Sequence, residues 1–321
     1  MLVFSPGGAL LVSEPDNGKV VALLDPKHTG KAERSLDVVT NLTEPHGLAF
    51  YKGKLYIAEN DKVRSWDWDE STLNASNPKM LAELPGRGGH STRTVIFHGD
   101  KMYVSAGSSC NVCIEKDPRR ATVMEFNPDG SGMKVFTKGL RNAVGMAVNP
   151  KTDTVWVTVN GRDRLGDDLP PETIYDLGAG GNDAGWPYCY GDRIPDRDFT
   201  KPGDNRCETV IRPKVQMQAH SAPLGLAFYE GTALPTEYRN NIFVAFHGSW
   251  NRSVPTGAKV IRVKLDDKGQ PIGGAEDFIT GWQDAEGKRW GRPVGIVMAD
   301  DDSMYISDDK AGLVYRITYG K

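Results

Sequence analysis

A unit of apolar strand, polar turn and second apolar strand returns six times along the chain, and no other feature of the sequence restricts the fold as much. "LVFSPGGALLVSEP" (residues 2–15) is the first copy and "PHGLAFYKGKLYIAEN" (45–60) the second. "RTVIFHGDKMYVSAGS" (93–108), "NAVGMAVNPKTDTVWVTVNG" (142–161), "PLGLAFYEG…NNIFVAFHG" (223–248) and "PVGIVMADDDSMYISDD" (293–309) complete the set. A third strand follows at 20–24, 63–68, 122–126, 259–264 and 313–318. One such sheet cannot bury its own faces, so the copies must stack on one another. Helical periodicity is nearly absent, and β-branched and aromatic residues stand where packed sheets need them. The pattern predicts an all-β chain, a six-bladed β-propeller, with residues 1–321 as a single domain. Residues 162–212 interrupt the fourth unit without an apolar repeat of their own, and read as a loop-rich insertion in the fourth blade.

Composition agrees with this reading. With 39% hydrophobic residues the chain can fill a core, and 36 Gly with 20 Pro suit many short turns. A net charge of -3 implies no broad basic surface for nucleic acid. No apolar run approaches the ~18 residues of a membrane span. The opening "MLVFSPGG" meets a proline too early for a signal peptide and already reads as strand and turn, so a natural start upstream is expected.

Cys110, Cys113, Cys189 and Cys207 are the only cysteines. Ile114 follows the Cys-x-x-Cys spacing where haem attachment needs His. Four thiolates could hold one zinc ion, but the second pair lacks that spacing and both pairs lie in polar loops. Two disulfides, Cys110–Cys113 and Cys189–Cys207, are expected, with an oxidising, periplasmic or extracellular setting. Four free thiols in the cytosol are the alternative.

In a propeller, the residues before each inner strand and those after each second strand emerge on one face. The first group contains His46, His90, Arg93, Arg141, Asn142, His220 and Arg292. The second contains Glu59, Asn60, Asn160, Arg162, Asp163, residues 247–252, Asp308, Asp309 and Lys310. His28 and His98 fall in polar turns away from that face. In "VAFHGSWNRSV" a buried strand thus delivers His247, Trp250, Asn251 and Arg252 to a shared channel mouth. Arg93, Arg141, Arg252 and Arg292 converging from different blades would repel one another without a polyanionic ligand. Trp250 could offer a face to a planar one. "NGRDRLGDDLPPE" (160–172) supplies Asp163, Asp167, Asp168, Glu172 and turn carbonyls, hard oxygen donors that suit Ca²⁺. His90, after a glycine-rich approach, is the candidate general base.

The chain resembles the propeller family of soluble sugar dehydrogenases that use pyrroloquinoline quinone (PQQ), in particular the sorbosone dehydrogenase-like branch and the fungal pyranose dehydrogenase domains. The matching segments are "GGHSTRTV", "SSCNVCIEKDPRRA", "GLRNAVGMAVNP", "NGRDRLGDDLPPE", "GWPYCYGD", "HSAPLGLAFY", "AFHGSWNRS" and "GRPVGI", from about His90 onward. The resemblance implies hydride transfer from a sugar to PQQ with calcium beside the quinone. It implies His90 as base, with Arg141, Asn142, Arg252 and Arg292 holding the cofactor, and Arg93, Trp250 and Asn251 are further cofactor-binding candidates at the same mouth. The calcium would lie at Arg162 and Asp163, through their carbonyls, and at Asp167. It also implies an electron acceptor such as a cytochrome or a quinone. Val144 stands where the glucose-oxidising relatives carry Gln, so glucose specificity does not transfer. Two other classes remain open: a calcium-dependent lactonase using Glu59, Asn142 and Asp308, and a propeller that only binds.

Overall fold

The structure, a computed structural model, describes residues 1–25, 31–86 and 88–320, so His28 lies outside the described residues. Six antiparallel sheets stand in a ring. Their inner strands are Leu2–Phe4, Gly47–Tyr51, Val95–His98, Ala143–Asn149, Pro223–Tyr229 and Pro293–Met298. Each lies against the next, and Leu2–Phe4 meets Pro293–Met298 to close the circle. Each inner strand pairs outward with the second strand of its own blade. Blades one to five carry four antiparallel strands and blade six carries three. The six-bladed, all-β expectation is met.

A recurring glycine explains how the ring closes so tightly. Gly47, Gly145 and Gly225 each sit where neighbouring inner strands approach. A methyl on Gly47 would come within 2.5 Å of the Val95 nitrogen, and one on Gly225 within 2.6 Å of the Val294 carbonyl oxygen. No side chain fits, so the motif "HGL", "VGM", "LGL" is a packing requirement. In blades four, five and six the strand register shifts at this same place, which leaves amide groups without a ladder partner. Hydroxyls on second strands supply two of those partners: Thr158 accepts from Gly145 N–H at 2.8 Å and Ser307 from Gly295 N–H at 2.9 Å.

The core lies between blades. Trp156, Ile174, Leu226, Val244 and Ile261 pack blade four on blade five, and Tyr103, Val123, Val155 and Tyr175 pack blade three on blade four. Each buried aliphatic or aromatic side chain contributes roughly 1.5–3 kcal/mol. The loops at the mouth are therefore fixed at both ends to rigid strands.

Blade four departs from the sequence reading. Residues 162–212 are not one excursion, because Glu172–Asp176 is the blade's third strand and splits them. A single apolar stretch between two polar loops gives no repeat to detect. The second part sends Asn182–Asp183 to the outer edge of blade three, where it pairs parallel with Lys134–Lys138. It then forms a small hairpin, Cys189–Tyr190 with Ile194–Pro195, before the fourth strand, Val215–Met217.

All four cysteines are paired as Cys110–Cys113 and Cys189–Cys207, which excludes both the zinc site and the free thiols. Among the described residues no helix is long and apolar enough to cross a membrane.

Candidate active site

Backbone hydrogen bonds tie the two groups of mouth residues together blade by blade. His46 N–H donates to Ala58 O, His90 N–H to Ser108 O, Asn160 N–H to Asn142 O and His247 N–H to Ala222 O. Ser108 N–H donates to Arg141 O, which joins blade three to blade four. Within each of these blades the start of the inner strand and the end of the second strand therefore lie side by side.

Between blades three and four the chemistry is that of a cup lined by oxygen. Arg141 is buried and meets the Asp163 carboxylate at 3.2 Å. Asn251, from blade five, donates to the other Asp163 oxygen at 3.1 Å. The Arg162 side chain turns away from the mouth and pairs with Asp196 at 2.5 Å and Asp198 at 3.0 Å, which pins the insertion. Its backbone carbonyl remains with that of Asp163 in the loop. The sequence reading puts Glu172 among the loop's oxygen ligands. Instead it is fully buried at the start of the third strand and accepts from Gly161 N–H at 2.7 Å and Ala222 N–H at 3.2 Å. Burial pushes its carboxyl up to about 7, against the pull of those two amides and of Arg141. Asp167 accepts from Ser253 N–H at 3.0 Å and from its hydroxyl, so its carboxylate faces blade five rather than Asp163. Among the described residues the one close gathering of metal-type side chains is Cys110, Cys113 and Glu115, and its two sulfurs are in the disulfide.

On the side of blades five and six the groups are cationic. Arg292 donates to His247 O at 3.0 Å and Gly248 O at 3.2 Å. Arg289 donates to Ser249 O at 2.6 Å and Thr256 O at 3.0 Å. Burial lowers both guanidinium pKa values, and Arg292 lowers that of Arg289 further. Among the described residues no carboxylate forms an ion pair with either one. Arg252 donates to Ala219 O at 3.4 Å and to Asp167 O, with exposed Asp168 3.6 Å away. Trp250 is 69% exposed and stands on the rim rather than inside the pocket. His247 faces Asp309 at 2.8 Å, and both ring nitrogens of His220 are engaged, by Gly166 O at 2.8 Å and Asn251 Nδ2 at 3.3 Å.

His90 lies beside the cup and is partly buried. Its Nδ1 is 3.0 Å from Ser108 O, which can only accept, so Nδ1 carries the proton and Nε2 keeps a lone pair. Burial, then Arg141, holds the imidazole pKa near 4, so the ring is neutral across ordinary pH. Gly107 lets His90 approach Asn142: a methyl there would lie 2.5 Å from Asn142 Oδ1 and 2.7 Å from His90 Cβ. That Asn142 oxygen and Asn251 Oδ1 are buried without a hydrogen-bond partner.

Arg93 is not at the mouth surface. It is fully buried, and its guanidinium donates to His90 O at 2.8 Å, Thr92 O at 2.7 Å and Pro85 O at 2.7 Å. It fastens the His90 turn from below and is not free to reach a ligand. His46 is also internal, with Nδ1 3.1 Å from Arg93 O and burial holding its pKa near 3. Arg289, Asn111 and Ser108 are mouth residues that the sequence reading passes over. Arg289 has a visible signal, since it stands three residues before Arg292 in "KRWGR".

Of the three residues a calcium lactonase would use, only Asn142 keeps an unpartnered oxygen. Glu59 accepts from Thr43 N–H and Arg64 at 2.6 Å each. Asp308 accepts from Arg292 N–H at 2.7 Å, Ala311 N–H at 2.9 Å and the Tyr315 hydroxyl at 2.9 Å. Both carboxylates are structural caps.

Known proteins resemble this chain over most of its length. An uncharacterised protein of Borreliella burgdorferi is 30% identical over 91% of this chain and 80% of its own length. The pyrroloquinoline quinone-dependent pyranose dehydrogenase of Coprinopsis cinerea is 29% identical over 97% of this chain but 51% of its own, so the chain spans about half of that relative. The PQQ domain of Coprinopsis cinerea pyranose dehydrogenase in its holo form has the same fold, with a TM-score of 0.83, 23% identity and 99% and 92% of the two chains covered. A calcium structure of a Trichoderma reesei protein of carbohydrate-active enzyme family AA12 gives a TM-score of 0.84, 21% identity and 98% and 90% coverage. The family model described as TrAA12-like matches residues 1–175 and 183–320, and the chain belongs to that family.

Proposed function

We propose that the protein is a PQQ- and calcium-dependent oxidoreductase that oxidises an aldose, a pyranose or a sugar aldehyde. The observation that carries this reading is a mouth with cationic and oxygen-lined halves and a neutral histidine at its edge. The Coprinopsis relative is itself a PQQ-dependent pyranose dehydrogenase, and the Trichoderma structure is a calcium structure, which supports both groups.

The residues fit. A planar tricarboxylate needs cations that are not already neutralised, and Arg289 and Arg292 meet only neutral oxygen atoms. Arg252 and Arg141 would flank it, with Trp250 on the rim. A buried amide oxygen without a partner costs about 1–3 kcal/mol, so Asn142 and Asn251 favour a donor or a cation at the site. The Arg162 and Asp163 carbonyls are hard oxygen donors for calcium, and Asp167 would act on them through the loop. When bound, the quinone would accept hydride and calcium would polarise its carbonyl.

The chain's own residues handle the proton. His90 Nε2 would take it from the sugar hydroxyl. With a pKa near 4 the ring is a weak base, so the transfer proceeds as the hydroxyl acidifies on becoming a carbonyl. Arg93 and Ser108 hold the ring for this from behind and beside it. The electrons would then pass to an acceptor such as a cytochrome or a quinone. Two disulfides support a periplasmic or extracellular setting.

The deciding experiment mixes the protein with PQQ and calcium. A shifted quinone absorbance that an aldose bleaches, with dye-linked turnover lost on chelation, is the expected result. Lactone hydrolysis without PQQ, or no uptake of the quinone, would overturn the reading.

A further inference from the structure

The Cys110–Cys113 disulfide closes a four-residue ring that the chemistry above does not use, and Asn111 lies inside it. The Asn111 amide grips the backbone of Asp163 at both ends. Its Oδ1 accepts from Asp163 N–H at 2.8 Å, and its Nδ2 donates to Asp163 C=O at 3.2 Å. The same Oδ1 accepts from Arg141 Nη2 at 3.0 Å, and the Asn111 carbonyl accepts from Arg141 Nε at 2.8 Å. Next to the ring, the Ser108 hydroxyl donates to Cys110 O at 2.7 Å and lies 3.1 Å from His90 Nδ1. One short covalent ring thus touches the loop carbonyl, the Arg141–Asp163 pair and the support of His90.

Residues 160–171 form no strand, and Arg164 adopts a left-handed φ of 71°, so no ladder fixes where the Asp163 carbonyl points. A carbonyl oxygen has two lone pairs. Asn111 occupies one and leaves the other. A clamp whose own freedom is already removed by a disulfide loses little entropy in holding that aim.

We infer that Asn111, held in the Cys110–Cys113 ring, is a positioning residue that orders the 160–168 loop and aims the Asp163 carbonyl before a cation arrives. The inference rests on the calcium reading above for its purpose, not for its geometry.

The test compares parent, Asn111→Ala and Asn111→Asp. Hydrogen–deuterium exchange is measured first in the metal-free protein. Asn111→Ala should speed exchange across residues 160–168 by about tenfold while the blade strands keep the parent rate. Asn111→Asp retains an oxygen for the Asp163 N–H but loses the donor to its carbonyl. It should restore slow exchange in that segment, yet still raise the calcium concentration for half-saturation by about tenfold, as Asn111→Ala does. A merely structural role would not separate the two readouts. Unchanged exchange in Asn111→Ala, exchange that rises in every blade, or an unchanged calcium requirement would each overturn the inference. A parent protein that takes up neither calcium nor PQQ would instead bring down the functional reading, while the metal-free exchange arm still judges the clamp.

Discussion

The two halves of the mouth satisfy their arginines in opposite ways. Between blades three and four, Arg141 in the cup and Arg162 turned behind it are both matched with carboxylates. Between blades five and six, Arg289 and Arg292 rest on the carbonyls of residues 247–249 and 256 and keep their charge. A carboxylate neutralises a guanidinium, whereas a carbonyl only orients it. The first half is therefore suited to a cation and the second to an anion, and a single ligand with both kinds of group would span them. Arg252 belongs to the anion side by charge, but donates to Asp167 O and so reaches into the cup's loop.

His90 stands beside the cup, and its loss should have the largest effect. His90→Ala should lower kcat by roughly 10²–10⁴, the usual worth of a positioned base, while both halves still bind. Loss of PQQ uptake in this variant would mean that His90 holds the ligand rather than the proton. Removing the Cys189–Cys207 link strikes the cup side alone, because that disulfide steadies the insertion that carries Asp196 to Arg162. The Cys189→Ala/Cys207→Ala pair should cost about 3 kcal/mol in urea unfolding. It should raise the calcium requirement more than the PQQ requirement; equal changes would erase the distinction.

Arg292→Ala should weaken PQQ binding ten- to a hundredfold, since a charged hydrogen bond contributes about 1.5–3 kcal/mol. Its calcium requirement should stay put. Arg252→Ala should weaken PQQ to a similar degree and also disturb calcium, because it releases Asp167, and Arg252→Lys should recover only part. If both variants leave PQQ affinity unchanged in titration, the cationic half is a solvated rim and the comparison fails.

The smallest effect concerns pH. Burial holds the folded pKa of His46 near 3 and of His90 near 4, against about 6.5 in an unfolded chain. Below pH 6.5 the unfolded chain takes up protons that the native state refuses. This contribution to stability is thus complete above pH 6.5 and is lost as pH falls toward 4 and then 3, by up to about 1.4 kcal/mol per pH unit for each histidine. His46→Gln should flatten the fall in unfolding free energy between pH 7 and 5. An unchanged slope would show that His46 does not contribute to it.

Much of this was legible in the sequence, for identifiable reasons. Strand pairs are local patterns repeated six times, four of them with a glycine at the same place on the inner strand, so the ring followed. Blade four's third strand escaped because Glu172–Asp176 has a loop on each side and no neighbouring copy to compare within the same stretch. Arg93 looked like Arg292 on paper. What separates them is the set of carbonyls each meets, Pro85 and His90 in one case and His247 and Gly248 in the other, and that depends on tertiary placement. Asn111 carries no charge and no motif, so its grip on Asp163 had no sequence signal beyond the two cysteines around it.

The carbonyl-held arginines bear on speed as well as on affinity. A concave mouth focuses the field of charges that no carboxylate contacts directly, and such a field raises the encounter rate with an anion by 10- to 10³-fold at low salt. Arg289 and Arg292 hydrogen-bond only to neutral oxygen atoms whether or not a ligand is near, and Asp309, which acts on Arg292 without an ion-pair contact, offsets part of that field. The association rate of PQQ should then fall steeply as salt is added, while its dissociation rate barely moves. Near 0.15 M salt, where charges are screened beyond about 8 Å, the field would act only over the last step of approach. It would then turn a carboxylate-bearing face inward instead of gathering molecules from a distance.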